Sequence, residues 1–249
     1  MMHRYFIVLM FDGSRYAGWQ RQPDAQTVEE CLEDALSLLL RRPTAVVGAG
    51  RTDAGVHARE MMAHFDTDAE VDLANLSYRL NRLLPYDIAV KGVREVPESM
   101  HARFSATRRT YRYYVHTGKN PFLQRYSLQL HTPIDFGRMN AAARHLLQTT
   151  DFAAFAKVHT DVKTTLCEVS KAEWIRADDD SWYFEITANR FLRNMVRAIV
   201  GTLLEVGRGK ISEEYFTRII QSHDRCQAGD SAPAHALFLE KVEYENLEI

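Results

Sequence analysis

The chain has 249 residues, enough for one large domain or two lobes with separate cores. Its 46% hydrophobic and 26% charged content is ordinary for a globular protein, and no apolar run approaches the roughly 18 residues that span a bilayer. A net charge of −2 argues at first against nucleic acid, yet 24 of the 31 basic residues are arginine, whose planar fork suits phosphates and base edges.

Taken in chain order, RYFIVLMF (4–11) is β-branched and aromatic and predicts a first strand. Its apolar run is too short, and small-residue cleavage chemistry too scarce, for a secretory signal. Thr27-Val28-Glu29-Glu30 fits a capping box, and Val28, Leu32, Ala35, Leu36 and Leu39 continue it as a helical stripe to about Leu40. TAVVGAG (44–50) predicts a short strand running into a glycine loop, and EMMAHFDT (60–67) another strand. Residues 72–84 predict a helix that stops before Pro85, and 87–96 alternate like a strand.

The second half opens with ATRRTYRYYVHT (106–117), a strand on which Tyr111 and Tyr113 face one way and Thr110, Arg112 and Tyr114 the other. A helix over 135–148 follows. Residues 164–177 and 181–188 predict a strand hairpin around the acidic turn 178–180. Helices over 190–206 and 212–222 and a strand over 235–244 complete the pattern. The two halves follow a loosely similar order with a divide near residue 105. This predicts a two-lobed α+β protein, with 1–105 carrying an Asp loop and 106–249 carrying a tyrosine strand and an arginine-edged helix.

Cys31, Cys167 and Cys226 lie far apart with no C-x-x-C pair, which gives neither a disulfide framework nor a zinc spacing and fits a reducing cytoplasm. The charges are polarised. No acidic residue lies between Ser99 and Ile134, where Arg103, Arg108, Arg109, Arg112, Lys119 and Arg125 accumulate, nor between Ile186 and Leu204, around Arg190, Arg193 and Arg197. Such tracts steer polyanions.

Three stretches carry candidate chemistry. GAGRTDAGVHA (48–58) spends three glycines around Asp53. It lacks the third glycine of a dinucleotide fingerprint and the G-K-[ST] ending of a P-loop, and no further ligand cluster joins Asp53 and His57 into a metal set. An Asp among glycines often does no more than close a turn by bonding its own backbone. Arg51 beside Asp53 favours a second reading, since a flanking guanidinium keeps a carboxylate ionised and oriented, as covalent catalysis requires. RRTYRYY (108–114) reads either as an aromatic ladder on a half-buried strand or as a phenol offered to a nucleobase with guanidiniums on phosphates. In ANRFLRNMVRAIVGTLLEVG (188–207), Leu192, Met195, Val196, Ile199, Val200 and Leu203 form a core stripe bordered by Arg190, Arg193 and Arg197. Arg197 lies deepest in the apolar register and needs an anion, for which Asp53 is a candidate.

Together with FDGSRYAGWQRQ (11–22), HARFSATRRTYRYY (101–114) and AGDSAPAHALFL (228–239), these stretches resemble the TruA-type tRNA pseudouridine synthases, in the family's order and over essentially the whole chain. The resemblance implies the pseudouridine synthase fold, two similar lobes around a largely antiparallel mixed sheet with flanking helices and an RNA-binding cleft between them. It implies isomerisation of uridine to pseudouridine in the anticodon stem-loop of tRNA, at tRNA positions 38, 39 and 40, with no cofactor and no metal. A homodimer holding tRNA across both subunits in the cytoplasm is implied too, with no membrane involved. Asp53 takes the place of the catalytic aspartate, Tyr111 of the tyrosine packed on the target uracil, Arg51 of the arginine holding the flipped nucleotide, and Arg197 of the basic partner of the aspartate. Phe11 stands where tyrosine is usual, Asp230-Ser231 where Pro-Thr is, and Ala236 where glycine is, none of them touching the implied chemistry. The aspartate's first act stays open between attack at C1′, attack at C6 and proton removal from C2′. A synthase for other uridines, or a non-catalytic RNA-binding module, would share many of these features.

Overall fold

The computed structural model describes residues 2–157, 163–245 and 247. The chain forms two units: residues 1–107 with 238–249, and residues 108–237. The sequence reading sets the divide at 105–106 and puts the final strand in the second lobe, whereas residues 238–249 are grouped here with the first unit.

In the first unit, β1 (His3–Phe11) pairs antiparallel with β3 (His57–Thr67) on one side and β4 (Ile88–Val96) on the other. Tyr5, Phe6, Ile7, Val8 and Leu9 are all buried, so both faces of β1 are covered, which is why its sequence is a continuous apolar run without alternation. The short β2 (Val47–Gly48) pairs with β3, and β9 (Leu237–Tyr244) runs parallel to β3 with His57 opposite Phe238. The strand expected over 44–50 is observed only over these two residues, and the Ala49 N–H carries the pairing one step further to the Met62 carbonyl at 2.7 Å.

Helix α1 (Val28–Leu40) starts where Thr27 accepts the Glu30 N–H and buries Val28, Leu32, Ala35 and Leu36. Helix α2 (Leu73–Leu83) is capped by Asp72 and buries Leu76 and Leu80. The Asn81 amide clips α2 to β4 by accepting the Val90 N–H at 2.7 Å and donating to the Val90 carbonyl at 2.8 Å.

In the second unit, β5 (Ala106–His116), which begins just before the divide, pairs antiparallel with β8 (Ser181–Ala188), and β8 with β7 (Val169–Arg176); β6 (Leu128–Gln129) lies parallel to β5. The β7–β8 hairpin closes where the Ala177 N–H reaches the Ser181 carbonyl. Helix α3 (Phe136–Arg144) runs on as a 3-10 turn to Gln148, and α5 (Glu213–Ser222) is capped by Ser212. Mixed α+β structure with mostly antiparallel strands is as the sequence predicts.

Helix α4 (Met195–Gly207) differs from expectation at its start. Asn194 sits in the left-handed region at φ +66°, which asparagine tolerates better than most residues, and its amide donates to Ser231 Oγ at 2.6 Å. Arg190 and Arg193 therefore precede the helix, and only Arg197 is on it.

Candidate active site

Asp53 lies on the loop between β2 and β3, in the first unit, and is half-buried. The loop is stitched to the segment after β1. The Gly55 N–H donates to the Tyr16 carbonyl and the Trp19 N–H to the Thr52 carbonyl, each at 3.3 Å, while the Val56 N–H closes a turn on the Asp53 carbonyl at 3.1 Å. The contact is so close that the glycines opposite it have no room to change. A Cβ on Gly13 would lie 2.0 Å from the Val56 carbonyl oxygen, and one on Gly18 2.3 Å from that of Thr52. Gly18 also has φ +97°, a conformation side chains disfavour. Gly50 is the opposite case: a Cβ there meets nothing within 4 Å.

The far end of the loop is anchored by His57. Its ring is buried, stacks on Phe238 at 4.5 Å between centroids, and accepts the Gly13 N–H on Nδ1 at 3.0 Å, with Asp12 Oδ1 also 3.0 Å from that nitrogen. The spacing of Asp53 and His57 thus serves loop closure. Among the described residues no group of three His, Cys, Asp or Glu side chains could hold a metal ion.

Arg51 is exposed and forms no ion pair among the described residues. Its charge acts at Glu29, where burial pushes the carboxyl up and the Arg21 backbone N–H, the Trp19 indole and Arg51 work the other way. Glu29 accepts both the Trp19 Nε1–H at 3.0 Å and the Arg21 N–H at 2.8 Å, which fixes the same segment that supports the Asp53 loop.

Tyr111 and Arg197 belong to the second unit. Tyr111 is half-buried on β5, edge-on to Phe191 with centroids 5.0 Å apart. Tyr113, two residues on, is fully buried, and its hydroxyl has no hydrogen-bond partner among the described residues. Burial pushes that phenol up, and the Arg197 charge pulls against the shift. Arg197 is half-buried; its Nε donates to the Ala232 carbonyl at 2.6 Å, and its own carbonyl accepts the Ala232 N–H at 2.9 Å. The guanidinium is thereby held by the 228–236 loop.

The basic tract is less open than its sequence suggests. Arg112 and Lys171 both bond Glu185, at 2.6 and 2.7 Å, and Arg112 also lies over the Tyr183 ring. Arg109 reaches the Asn189 carbonyl at 2.7 Å. Arg108 is exposed and makes no ion pair among the described residues. Sequence reasoning missed Phe191 and the support built from Asp12, Tyr16 and Asp87. The two glycines five apart in GSRYAG were the signal for that support.

A family model described as tRNA pseudouridine synthase matches residues 7–105 and 142–245. A Bacteroides thetaiotaomicron protein named tRNA pseudouridine synthase A is 56% identical over 245 residues, covering 98% of this chain and 91% of the relative. Proteins of the same name from Bacteroides fragilis and Porphyromonas gingivalis are 55% and 52% identical, covering 98% of this chain and 97% and 98% of their own lengths. Among solved structures, Thermus thermophilus Cse3 bound to RNA overlays at a TM-score of 0.23 and 12% identity, over 82% of this chain and 97% of that one, a likeness too slight to bear on fold or function.

Proposed function

Since the chain belongs to the tRNA pseudouridine synthase family and isomerises uridine in tRNA to pseudouridine, we propose that Asp53 is the carboxylate that starts the reaction. The uridines are those of the anticodon stem-loop, at tRNA positions 38, 39 and 40. Breaking the N-glycosidic bond, turning the uracil and rejoining it through C5 conserves every atom. A stacked uracil cannot turn, so it leaves the stack at a cost of a few kcal/mol, offset by phosphate contacts from exposed arginines such as Arg108.

The observation that carries this reading is the Asp53 loop itself. A half-buried carboxylate is held on a turn stitched by three backbone hydrogen bonds. Such rigidity is costly for a loop that merely connects two strands, and it is what a positioned nucleophile or base needs. Tyr111 supplies a ring for the displaced uracil, Arg51 a guanidinium for the flipped nucleotide, and Arg197 the cationic partner of the aspartate. The working form is a homodimer in the cytoplasm, with tRNA held across both subunits.

The test is Asp53→Asn. The variant is expected to bind tRNA as the parent does while turnover falls by roughly 10³-fold or more. Pseudouridine formation at the parental rate would refute the assignment. Anticodon stem-loops carrying one labelled uridine each, followed by nucleoside analysis, decide which positions are modified.

A further inference from the structure

We propose that Asp87, in the loop between α2 and β4, is a positioning residue for the Asp53 loop, acting through Tyr16. This rests on Asp53 being the reacting carboxylate. The Asp87 side chain is only 3% exposed, an expensive place for a charge unless its oxygens are satisfied. Both are: Oδ1 accepts the Tyr16 hydroxyl at 2.6 Å and Oδ2 accepts the Arg15 guanidinium at 3.2 Å. Its backbone carbonyl accepts the Asp12 N–H at 2.9 Å. One residue thus grips the turn after β1 at positions 12, 15 and 16.

That turn in turn carries the Asp53 loop. The Tyr16 carbonyl accepts the Gly55 N–H, two residues beyond Asp53, and Gly13 meets Val56 and His57. Asp12, whose backbone Asp87 holds, places its own carboxylate 3.0 Å from His57 Nδ1 and accepts the Ser14 N–H at 2.9 Å. Two short paths therefore run from Asp87 to the residues flanking Asp53, one through the Tyr16 ring and carbonyl, the other through Asp12 and His57. Neither path runs through Asp53, Arg51, Tyr111 or Arg197. Their effect is on where the Asp53 carboxylate stands, and a displacement of about 1 Å at a reacting group costs on the order of 10²-fold in rate.

The experiment compares Tyr16→Phe, Asp87→Asn and the double variant with the parent in steady-state and single-turnover kinetics on tRNA. Tyr16→Phe is expected to lower kcat about tenfold and Asp87→Asn tenfold or more, with KM and tRNA affinity within about twofold of the parent. The double variant is expected to be no slower than Asp87→Asn, because both act along one path. A kcat within twofold of the parent in both single variants, or a fall in kcat matched by an equal fall in tRNA affinity, overturns the proposal. Should Asp87→Asn fail to fold, Tyr16→Phe decides alone. Asp53→Asn is measured alongside: if it stays active the reading of Asp53 fails, whereas an inactive Asp53→Asn with parental Tyr16→Phe and Asp87→Asn removes only the positioning role.

Discussion

At the scale of single residues, the site depends on atoms that are missing as much as on those present. Gly18 combines φ +97° with a backbone contact that leaves no room for a methyl group. Gly18→Ala is therefore expected to cost about 2–4 kcal/mol, read as a fall in the urea midpoint, and to lower turnover as well. Gly50→Ala is expected to leave the midpoint unchanged, since its Cβ faces open space. Tyr113 gives a prediction of the opposite sign. Its buried hydroxyl has no partner among the described residues, so Tyr113→Phe is expected to leave Tm unchanged or raise it, where an ordinary core Tyr→Phe would lower it. The readings of Asp53 and Tyr111 came from motifs that crowd glycine, arginine and tyrosine into a few neighbouring positions. Asp87 and Tyr16 were not legible in this way, because their importance lies in bonds between segments some seventy residues apart, which no local spacing records.

At the scale of elements, the helices with side-chain caps were the most readable. Thr27, Asp72 and Ser212 each accept an N–H three residues on, and each expected start falls within a residue of the observed one. The start of α4 was misread because buried Leu192 keeps helical spacing with Met195 and Val196 although the backbone turns at Asn194. Apolar periodicity records burial and cannot tell a packed turn from a helix. The strand β5 teaches a similar lesson about charge. Acid-free sequence does not mean acid-free surroundings, since Glu185 on the neighbouring strand lies directly opposite Arg112. Arg108→Ala is accordingly expected to reduce the salt slope of tRNA binding by about one, and Arg112→Ala to leave it nearly unchanged, both measured as log affinity against log salt.

At the scale of the whole molecule, pH acts through histidines kept neutral. His64 is buried, and its Nδ1 accepts the Ala102 N–H at 3.1 Å, a role open only to the uncharged ring. Burial, with the Arg4 and His101 charges, lowers its pKa from 6.5 to about 4. His101 is lowered too, chiefly by burial, while its Nδ1 caps the Arg103 and Phe104 N–H groups. Above pH 6.5 the His64 ring is neutral in both folded and unfolded chains, and its share of stability is intact. As pH falls from 6.5 to 4 the unfolded chain takes up a proton that the folded one refuses, and about 3 kcal/mol is lost. Urea titrations between pH 7.5 and 4 are expected to show this decline, and His64→Gln to flatten it; an equal slope in the variant would refute the account.

The last strand carries a consequence for how the enzyme is made. Phe238, which stacks on His57 at the end of the Asp53 loop, is delivered by β9, after the whole second unit has been threaded out. A ribosome that has produced only the first hundred residues has made the Asp53 loop but not the ring that stacks on its anchor. The nascent amino-terminal half must therefore wait with an open β3 margin until β9 has been made.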